Sequence, residues 1–285
     1  MSRSLSIILP ARNEAATLET LLPEIESLHP EAEIIVVNDG STDATAEIAG
    51  RHNVRVISHP YSMGNGAAIK NGARAASGEV LLFMDADGQH SPSDIGRLLE
   101  KMEQGYDMVV GARSVGAHAN RWRMFANLFY NKLATWITSH DVADLTSGFR
   151  VVEADKFREF LYLFPNGFSC PTTSTMAFFR AGYRIAYVPV DVSRRTGKSH
   201  IRPLQDGVRF LLIIFRIGTL YTPLKFFFPI SLMFFLTGIA YYIYTFLTQG
   251  RFTNMSALLL TTSILVFLIG LVSEQLTMLS YRDRD

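Results

Sequence analysis

The sequence predicts an α/β domain with a mostly parallel sheet, followed by a surface helix and two long apolar helices. Apolar strand patterns alternate with helical patterns through the first two thirds of the chain, as in parallel sheets that helices cover on both faces. Polar residues stand directly after several of these strands, where ligands of such sheets bind. Towards the C-terminal end, two apolar runs of about 20 residues or more are long enough to cross a membrane.

The elements of the α/β domain follow in order. The first apolar run, residues 5–9, is too short for a signal-peptide core and is predicted as the first strand. The next segment is helical, because Leu18, Leu21, Leu22 and Ile25 fall on one face. Further strands are predicted at 33–37, 55–58, 79–84, 107–112 and 184–190, with another directly after Arg150, and helices at 15–28, 42–49, 67–76, 122–137 and 172–181.

The C-terminal part predicts association with a membrane. Segment 206–221 is apolar on one side and basic on the other, which indicates an amphipathic helix at the membrane surface. Residues 225–248 and 256–279 are joined by a short loop and form a predicted transmembrane hairpin. Two buried helices of a soluble core are the alternative. The predicted domains are the α/β domain at 1–200, the linker with the surface helix at 201–223 and the hairpin at 224–285.

Charge and cysteine content narrow the class of protein. Basic residues flank the outer ends of the hairpin and only Arg251 lies in its loop, which places the α/β domain in the cytosol. The formal net charge of +1 gives no indication of nucleic-acid binding. The single cysteine, Cys170, excludes an intrachain disulfide.

Two carboxylates one residue apart follow the fourth strand, in the segment Asp85-Ala86-Asp87-Gly88-Gln89. Unpaired carboxylates at the mouth of a sheet are costly without a cation. Oxygen ligands suit Mg²⁺ or Mn²⁺, which bind few carboxylates together with substrate phosphates. We expect the chain to turn at Gly88 and these side chains to hold a metal. A strand end closed by an Asx-turn, without metal, is the alternative.

Three other turns carry candidate ligand-binding residues. In Pro10-Ala11-Arg12-Asn13-Glu14, Glu14 could bind ribose hydroxyls and the backbone of Pro10 and Ala11 could face a base, whereas a helix cap by Asn13 is the structural alternative. Asp39 is predicted to accept hydrogen bonds from a nucleoside, while Ser41 or Thr42 caps the following helix with Asp43 in its first turn. Gly64 and Gly66 would let backbone N–H groups approach a ligand at a helix start.

Arginines recur in the second half of the domain, where they suit bidentate recognition of phosphate. Arg113 follows a strand and Arg150 precedes one, so both could face the crevice. The basic segment 195–200, which includes Arg195 and Lys198, could close over a diphosphate or meet a lipid phosphate, although contact with anionic headgroups alone is the alternative.

In combination, these motifs resemble the family 2 glycosyltransferases, and within them the branch that acts on polyprenyl phosphates, with dolichyl-phosphate mannose synthases and undecaprenyl-phosphate glucosyltransferases. The resemblance covers nearly the whole chain. It rests on Pro10…Asn13-Glu14, Val37-Asn38-Asp39-Gly40-Ser41-Thr42-Asp43, Gly64…Gly66-Ala67-Ala68, Asp85-Ala86-Asp87…Gln89, Gly111-Ala112-Arg113, Thr146-Ser147-Gly148-Phe149-Arg150 and Arg195…Gly197…Ser199.

The resemblance implies a GT-A fold and inverting transfer of a hexose from a UDP- or GDP-sugar to a polyprenyl phosphate, in the cell membrane and with Mg²⁺ or Mn²⁺. Arg12 and His200 depart from the family, which commonly has an aromatic residue and a lysine at these positions. Metal binding is assigned to Asp87, Gln89 and Asp85, and catalysis to Asp87, Arg113, Arg123 and Arg195. The nucleotide-sugar is assigned to Pro10, Ala11, Asn13, Glu14, Asp39, Gly66, Asp85, Ala86, Asp87, Gln89 and Lys198, and the acceptor phosphate to Arg113, Arg123, Ser147 and Arg150.

Other functions stay open at this point. A membrane lipid with a neutral hydroxyl could replace the polyprenyl phosphate, but it would need a base, for which Asp144 is the candidate. A sugar-phosphate nucleotidyltransferase would carry a glycine-rich loop after its first strand, where this chain has Ala11-Arg12-Asn13-Glu14. A non-enzymatic membrane partner would not need carboxylates clustered at strand ends. The sugar, the nucleotide and a homo-oligomeric state are left undecided.

Overall fold

The computed structural model describes residues 3–113, 121–167, 169–192 and 222–282, together with residues 212, 215, 218 and 219; side chains are described for these except at 121–127 and 280–282. The chain divides into two compact units, Met1–Phe210 and Leu211–Asp285. The predicted surface helix at 206–221 lies almost entirely outside the described residues.

The first unit is built on a seven-stranded sheet with the order β3-β2-β1-β4-β6-β5-β7. All neighbouring strands are parallel except for β6, which runs antiparallel to both β4 and β5. The mostly parallel sheet of the sequence prediction is therefore confirmed. The strands are β1 (Leu5–Ala11), β2 (Glu33–Asn38), β3 (Arg55–Ser58), β4 (Val80–Phe83), β5 (Met108–Arg113), β6 (Arg150–Glu153) and β7 (Ile185–Val190).

Helices connect the strands and cover the sheet. The predicted helix at 42–49 begins only at Thr45, because Asp43 accepts the Thr45 N–H and holds the preceding residues in a turn. The helix at 94–103 was not predicted, since its buried stripe consists only of Ile95, Leu98 and Met102 among polar residues. The helices of this unit are α1 (Ala15–Leu28), α2 (Thr45–Ala49), α3 (Asn65–Ala75), α4 (Asp94–Glu103), α5 (Arg121–Thr138), α6 (Ala154–Arg158) and α7 (Cys170–Arg180).

The direction of β6 brings two loops together. Parallel strands β1, β2, β4 and β5 end at one edge of the sheet, whereas the antiparallel β6 begins there. Phe83 of β4 pairs with Arg150 of β6, and Gly111 of β5 donates its N–H to the Phe149 carbonyl (2.9 Å). The acidic segment after β4, the end of β5 and the Thr-Ser-Gly-Phe-Arg segment therefore meet at the same edge.

The second unit contains two long antiparallel helices, α8 (Pro223–Gln249) and α9 (Asn254–Arg282). Both are apolar and long enough to span a membrane, and little of their apolar surface is buried. Such exposure does not fit two core helices of a soluble protein.

Polar and small residues join the two hairpin helices. The hydroxyl of Ser231 donates to the Ser263 carbonyl (2.9 Å), and that of Ser263 donates to the Ser231 carbonyl (3.0 Å). Glu274, left unassigned from sequence, accepts the backbone N–H of Leu224 (3.2 Å) at the start of α8. A carboxylate at a helix N-terminus is electrostatically favourable, so this acid stabilises the hairpin within one chain.

Candidate active site

The acidic segment turns away from the sheet directly after β4. Gly88 has φ +71°, a left-handed conformation that suits glycine, which confirms the predicted turn. The N–H of Gln89 donates to Oδ1 of Asp87 (3.2 Å), so the turn is closed by Asp87 itself. The side chain of Ala86 is buried, so this residue can offer only its backbone to a ligand.

Asp85 lies against the beginning of the β6 segment. A Cβ atom added to Gly148 would stand 2.9 Å from Oδ2 of Asp85, closer than the two groups can pack. Glycine at this position therefore allows the carboxylate to sit beside the backbone of residues 147–149. The contact follows from the pairing of β4 with β6, which the sequence does not reveal.

Arg113, at the end of β5, forms a two-point ion pair with Asp144. Its Nε donates to Oδ2 (2.8 Å) and its Nη2 to Oδ1 (2.9 Å). Burial disfavours the charged form of both groups, but their hydrogen bonds and mutual attraction outweigh burial. The pKa of Asp144 is therefore lowered and that of Arg113 is raised, the latter also by the charge of Asp85. The guanidinium is thus fixed beside the acidic segment.

His90 is buried beside the acidic turn and was not identified from sequence. Its ring stacks on Phe149, with centroids 4.8 Å apart, and its Nδ1 is buried without a hydrogen-bond partner among the described residues. Burial lowers the pKa of His90, partly offset by the nearby charge of Asp87, so the ring is neutral at pH 7. His90 contributes an apolar face to the site.

The turns after β1 and β2 are bound to each other. Oδ1 of Asn13 accepts the Thr42 N–H (2.8 Å), and the Asn13 N–H donates to Oγ of Ser41 (3.0 Å). Asn13 therefore links the two turns and does not cap α1, whereas its assignment to the nucleotide-sugar stays a prediction. Asp43 accepts from Thr45 N (3.0 Å) and Ala15 N (3.3 Å), so it binds the first N–H group of α2. The N-cap position itself is Ala44, so neither Ser41 nor Thr42 caps this helix.

Asp39 is saturated by protein donors. Oδ1 accepts from Nδ1 of His59 (2.7 Å) and from Met63 N (2.7 Å), while Oδ2 accepts from Oγ of Ser62 (2.8 Å) and Gly64 N (2.9 Å). The Asp39 side chain is almost fully buried. Asp39 thus anchors the turn at 59–64, and its contact with a nucleoside stays a prediction.

The pH dependence of stability provides a test of this anchor. Burial raises the pKa of Asp39, but the hydrogen bonds from His59, Met63, Ser62 and Gly64 outweigh burial and lower it below the ordinary 3.8. A lowered folded-state pKa stabilises the fold above pH 3.8, and this stabilisation is lost as the pH falls towards the folded-state value. We expect the melting-temperature difference between wild type and Asp39→Asn to be largest above about pH 5 and to shrink towards pH 3. A difference independent of pH would contradict the anchoring role.

The start of α3 is occupied by the chain itself. Gly66 N donates to the Gly167 carbonyl (3.1 Å) and Ala67 N to that of Asn166 (2.9 Å). A Cβ atom on Gly66 would stand 2.0 Å from the Pro165 carbonyl oxygen. This glycine therefore admits a neighbouring backbone, and the N–H groups of Gly66 and Ala67 already have acceptors. The assignment of Gly66 to the nucleotide-sugar stays a prediction.

Ser147 and Arg150 lie in the core and do not line the crevice. The hydroxyl of Ser147 donates to the Gly111 carbonyl (2.6 Å). Arg150 is 2 % exposed and donates to Ser174 Oγ (2.7 Å), the Pro171 carbonyl (3.0 Å) and the Ser147 carbonyl. These contacts tie the β6 segment to β5 and α7. The assignment of both residues to the acceptor phosphate stays a prediction.

The remaining assignments are located as follows. Pro10 and Ala11 are the last residues of β1, paired with Val37 and Asn38. Glu14 directly precedes α1 and is half-buried. Arg195 and Lys198 lie outside the described residues, as does the side chain of Arg123, which falls in the first turn of α5.

The donor set after β4 fits a hard divalent cation. Asp85, Asp87 and Gln89 supply oxygen atoms within one turn. Among the described residues no three His, Cys, Asp or Glu side chains form a closed metal cage. Mg²⁺ and Mn²⁺ do not need such a cage, since they take one or two carboxylates and complete their coordination with substrate phosphates and water.

The sequence is similar to those of known glycosyltransferases. The model of "Glycosyl transferase family 2" matches residues 6–161, and that of "GtrB C-terminal hairpin" matches residues 222–279. Undecaprenyl-phosphate mannosyltransferase of Micrococcus luteus is 30% identical over 210 residues, 67% of this chain and 85% of the relative. Glycosyltransferase AglJ of Haloferax volcanii is 25% identical over 84% of this chain and 80% of its own length.

Solved structures share the fold of the first unit. Glucosyl-3-phosphoglycerate synthase of Mycobacterium tuberculosis, solved with Mn²⁺ and UDP-glucose, aligns with a TM-score of 0.62 and 24% identity. The alignment covers 76% of this chain and 79% of the synthase. The predicted GT-A fold is confirmed.

Proposed function

The chain belongs to glycosyl transferase family 2, and on that premise we propose that it transfers a hexose from a UDP- or GDP-sugar to a polyprenyl phosphate, with inversion at the anomeric carbon. The observation that carries the proposal is the meeting of an acidic turn and an oriented arginine at one edge of the sheet. The hairpin match and relatives such as the undecaprenyl-phosphate enzyme support a lipid phosphate as acceptor.

The acceptor needs no strong general base. A phosphate monoester has a second pKa of about 6 and is largely dianionic at neutral pH, so its oxygen can attack the anomeric carbon directly. The task of the protein is to orient this oxygen and to hold its charge. Arg113 suits that task, because its guanidinium is fixed by Asp144 and stays charged.

The donor is held by the acidic turn. Asp87, Asp85 and Gln89 would bind a divalent cation, which supplies neutralisation of the departing nucleoside diphosphate when it is bound. Asp87 closes its own turn through Gln89 N, so its carboxylate is oriented before any ligand arrives. His90 is stacked on the fully buried ring of Phe149, so the turn is packed against the core of the domain.

The rival acceptor, a lipid with a neutral hydroxyl, is disfavoured by the state of Asp144. That acid is the candidate base, but its two oxygens accept from Arg113, Thr146 N and Ser147 N, and its pKa is lowered. A carboxylate in this state is a poor proton acceptor. The arrangement therefore favours an acceptor that arrives already anionic.

The location of the enzyme follows from the hairpin. We place α8 and α9 across the cell membrane and the α/β unit on the cytosolic side, where nucleotide-sugars are made, in accord with the basic residues outside the hairpin. The choice between Mg²⁺ and Mn²⁺, the sugar and the nucleotide are left to experiment.

The test is direct. Membranes containing the full chain are incubated with labelled UDP-glucose, UDP-N-acetylglucosamine or GDP-mannose, with undecaprenyl phosphate and Mg²⁺ or Mn²⁺. We expect a labelled lipid that extracts into organic solvent and releases its sugar in mild acid. Labelled diacylglycerol glycoside without a phosphate-linked product would instead favour the hydroxyl acceptor.

A further inference from the structure

The Asp144 carboxylate binds two segments near the proposed acceptor site, the end of β5 and the loop before β6. It lies in the loop between α5 and β6 and is 6 % exposed. Besides the Arg113 guanidinium, it accepts the backbone N–H groups of Thr146 (3.0 Å), Ser147 (3.1 Å) and Arg113 (3.3 Å). One carboxylate thus holds both the end of β5 and the turn that leads into Gly148, the residue packed against Asp85.

The geometry of the pair leaves one edge of the arginine for a ligand. Asp144 uses Nε and Nη2, while Thr146 Oγ1 accepts a second hydrogen bond from Nη2. Within the part of the chain that the structure describes, Nη1 donates to no protein acceptor. The Arg113 side chain is 26% exposed, in contrast to 8% for Asp144. A phosphate oxygen could therefore be bound from the exposed side without breaking the ion pair.

From these contacts we infer that Asp144 is a positioning residue, which holds Arg113 by its Nε–Nη2 edge so that Nη1 is directed to the acceptor phosphate. The inference rests on the proposed function and adds to it a residue that touches neither substrate. A free arginine side chain has several rotatable bonds, and freezing them before the acceptor binds removes an entropic cost from binding.

Asparagine at position 144 separates the two duties of the carboxylate. An amide has one acceptor oxygen, so it can serve the N–H groups of Thr146 and Ser147 but not, at the same time, both donors of the Arg113 fork. With its oxygen at the Oδ1 position, asparagine still accepts from Thr146 N, Ser147 N and Nη2, but its NH2 group replaces the acceptor of Nε and of the Arg113 backbone N–H. The Asp144→Asn variant should therefore keep the turn and hold the guanidinium by one hydrogen bond instead of two. Asp107→Asn is a matched control, because Asp107 is as buried as Asp144 and is paired with Lys156 and Arg184. It directly precedes the first residue of β5, whereas Arg113 is the last.

The experiment is a double-mutant cycle on the full-length enzyme with undecaprenyl phosphate and the donor sugar that the wild type uses. We expect Asp144→Asn to lower kcat/KM for undecaprenyl phosphate about tenfold, the loss of one charge-assisted hydrogen-bond pair, with the donor KM within about twofold of wild type. Arg113→Ala should cost about a hundredfold, and adding Asp144→Asn to it should cost nothing more, since the two residues act as a unit. Asp107→Asn should leave kcat/KM for the acceptor unchanged.

Three results would overturn the inference. An additive effect in the double variant would show that Asp144 acts independently of Arg113. The acceptor phosphate titrates near pH 6, so the fall in activity below that pH should persist in Asp144→Asn. If the variant loses this pH dependence, Asp144 acts as a base. An unchanged acceptor kcat/KM would remove the role altogether. Asp144→Glu, which keeps the charge but shifts it, replaces Asp144→Asn in the cycle if the latter does not fold.

Failure of the proposed function has a different signature. If the wild type forms no lipid-linked sugar phosphate from any donor, the proposed function falls and this inference falls with it. If the wild type is active and Asp144→Asn is kinetically normal, only the positioning role is lost.

Discussion

Replacing Asp87 by asparagine is expected to reduce sugar transfer by roughly a thousandfold or more, equivalent to roughly 4 kcal/mol of transition-state stabilisation. The substitution keeps an oxygen at the position that accepts Gln89 N, so the turn after β4 is retained. It removes the charge that would hold the cation against the leaving diphosphate. Asp87→Ala, which also loses the turn contact, should be at least as inactive.

The measurement is the initial rate of lipid-linked sugar formation across a titration of Mn²⁺ or Mg²⁺, after removal of metal with EDTA. Wild-type activity should return with metal, whereas Asp87→Asn should not recover at any concentration. Asp94→Ala is the control, because Asp94 lies a few residues further on and is paired with Arg97 at the start of α4. Metal-dependent activity that survives in Asp87→Asn would remove this residue from the mechanism.

The largest expected effect on stability belongs to Gly66→Ala. The added methyl group would overlap the Pro165 carbonyl oxygen at 2.0 Å and approach that of Gly167 at 2.9 Å. Residues 165–167 would have to move, which would also break the hydrogen bonds from Gly66 N and Ala67 N. Overpacking and two lost hydrogen bonds together suggest roughly 3 kcal/mol, or a melting temperature about 10 °C lower.

Gly96→Ala is the counterpart within the same domain. Gly96 also lies in a helix, but nothing stands within 4 Å of its Cβ position, so the higher helix propensity of alanine should leave the melting temperature unchanged or slightly raised. Thermal unfolding followed by intrinsic fluorescence compares the two variants under one condition. Equal melting temperatures for Gly66→Ala and wild type would show that the contact between α3 and residues 165–167 is not retained.

The fold could be predicted from sequence to the extent that local patterns determine it. Leu18, Leu21, Leu22 and Ile25 are all buried on one face of α1, as the spacing indicates. The helix at 94–103 was missed, because Ile95, Leu98 and Met102 form a thin stripe in a polar segment. The reversed direction of β6 could not be derived either, since strand pairing depends on contacts distant in sequence.

The site was predicted by type and position but less well by role. Polar residues at strand ends do meet at one edge, as expected for such sheets. Asp39 and Ser147, however, are hydrogen-bonded by the protein, and Arg150 is buried with its Nη1 bound to α7. A sequence shows that a polar residue follows a strand, but not whether its partner is a ligand or a distant backbone group. Asp144 was named from sequence only as a candidate base; its pairing with Arg113 was missed for the same reason, because the two residues lie 31 positions apart.

Because β6 runs antiparallel, the segments that we propose for the two substrates are connected to the sheet in opposite ways. The acidic turn that we propose for the donor leaves the sheet on a strand that ends at this edge, whereas the segment around Asp144 enters on a strand that begins there. Each can therefore change in sequence or length without shifting the register of the other. A protein of this fold could change its acceptor by replacing the segment between α5 and β6, while the turn proposed to bind the nucleotide-sugar keeps its sequence.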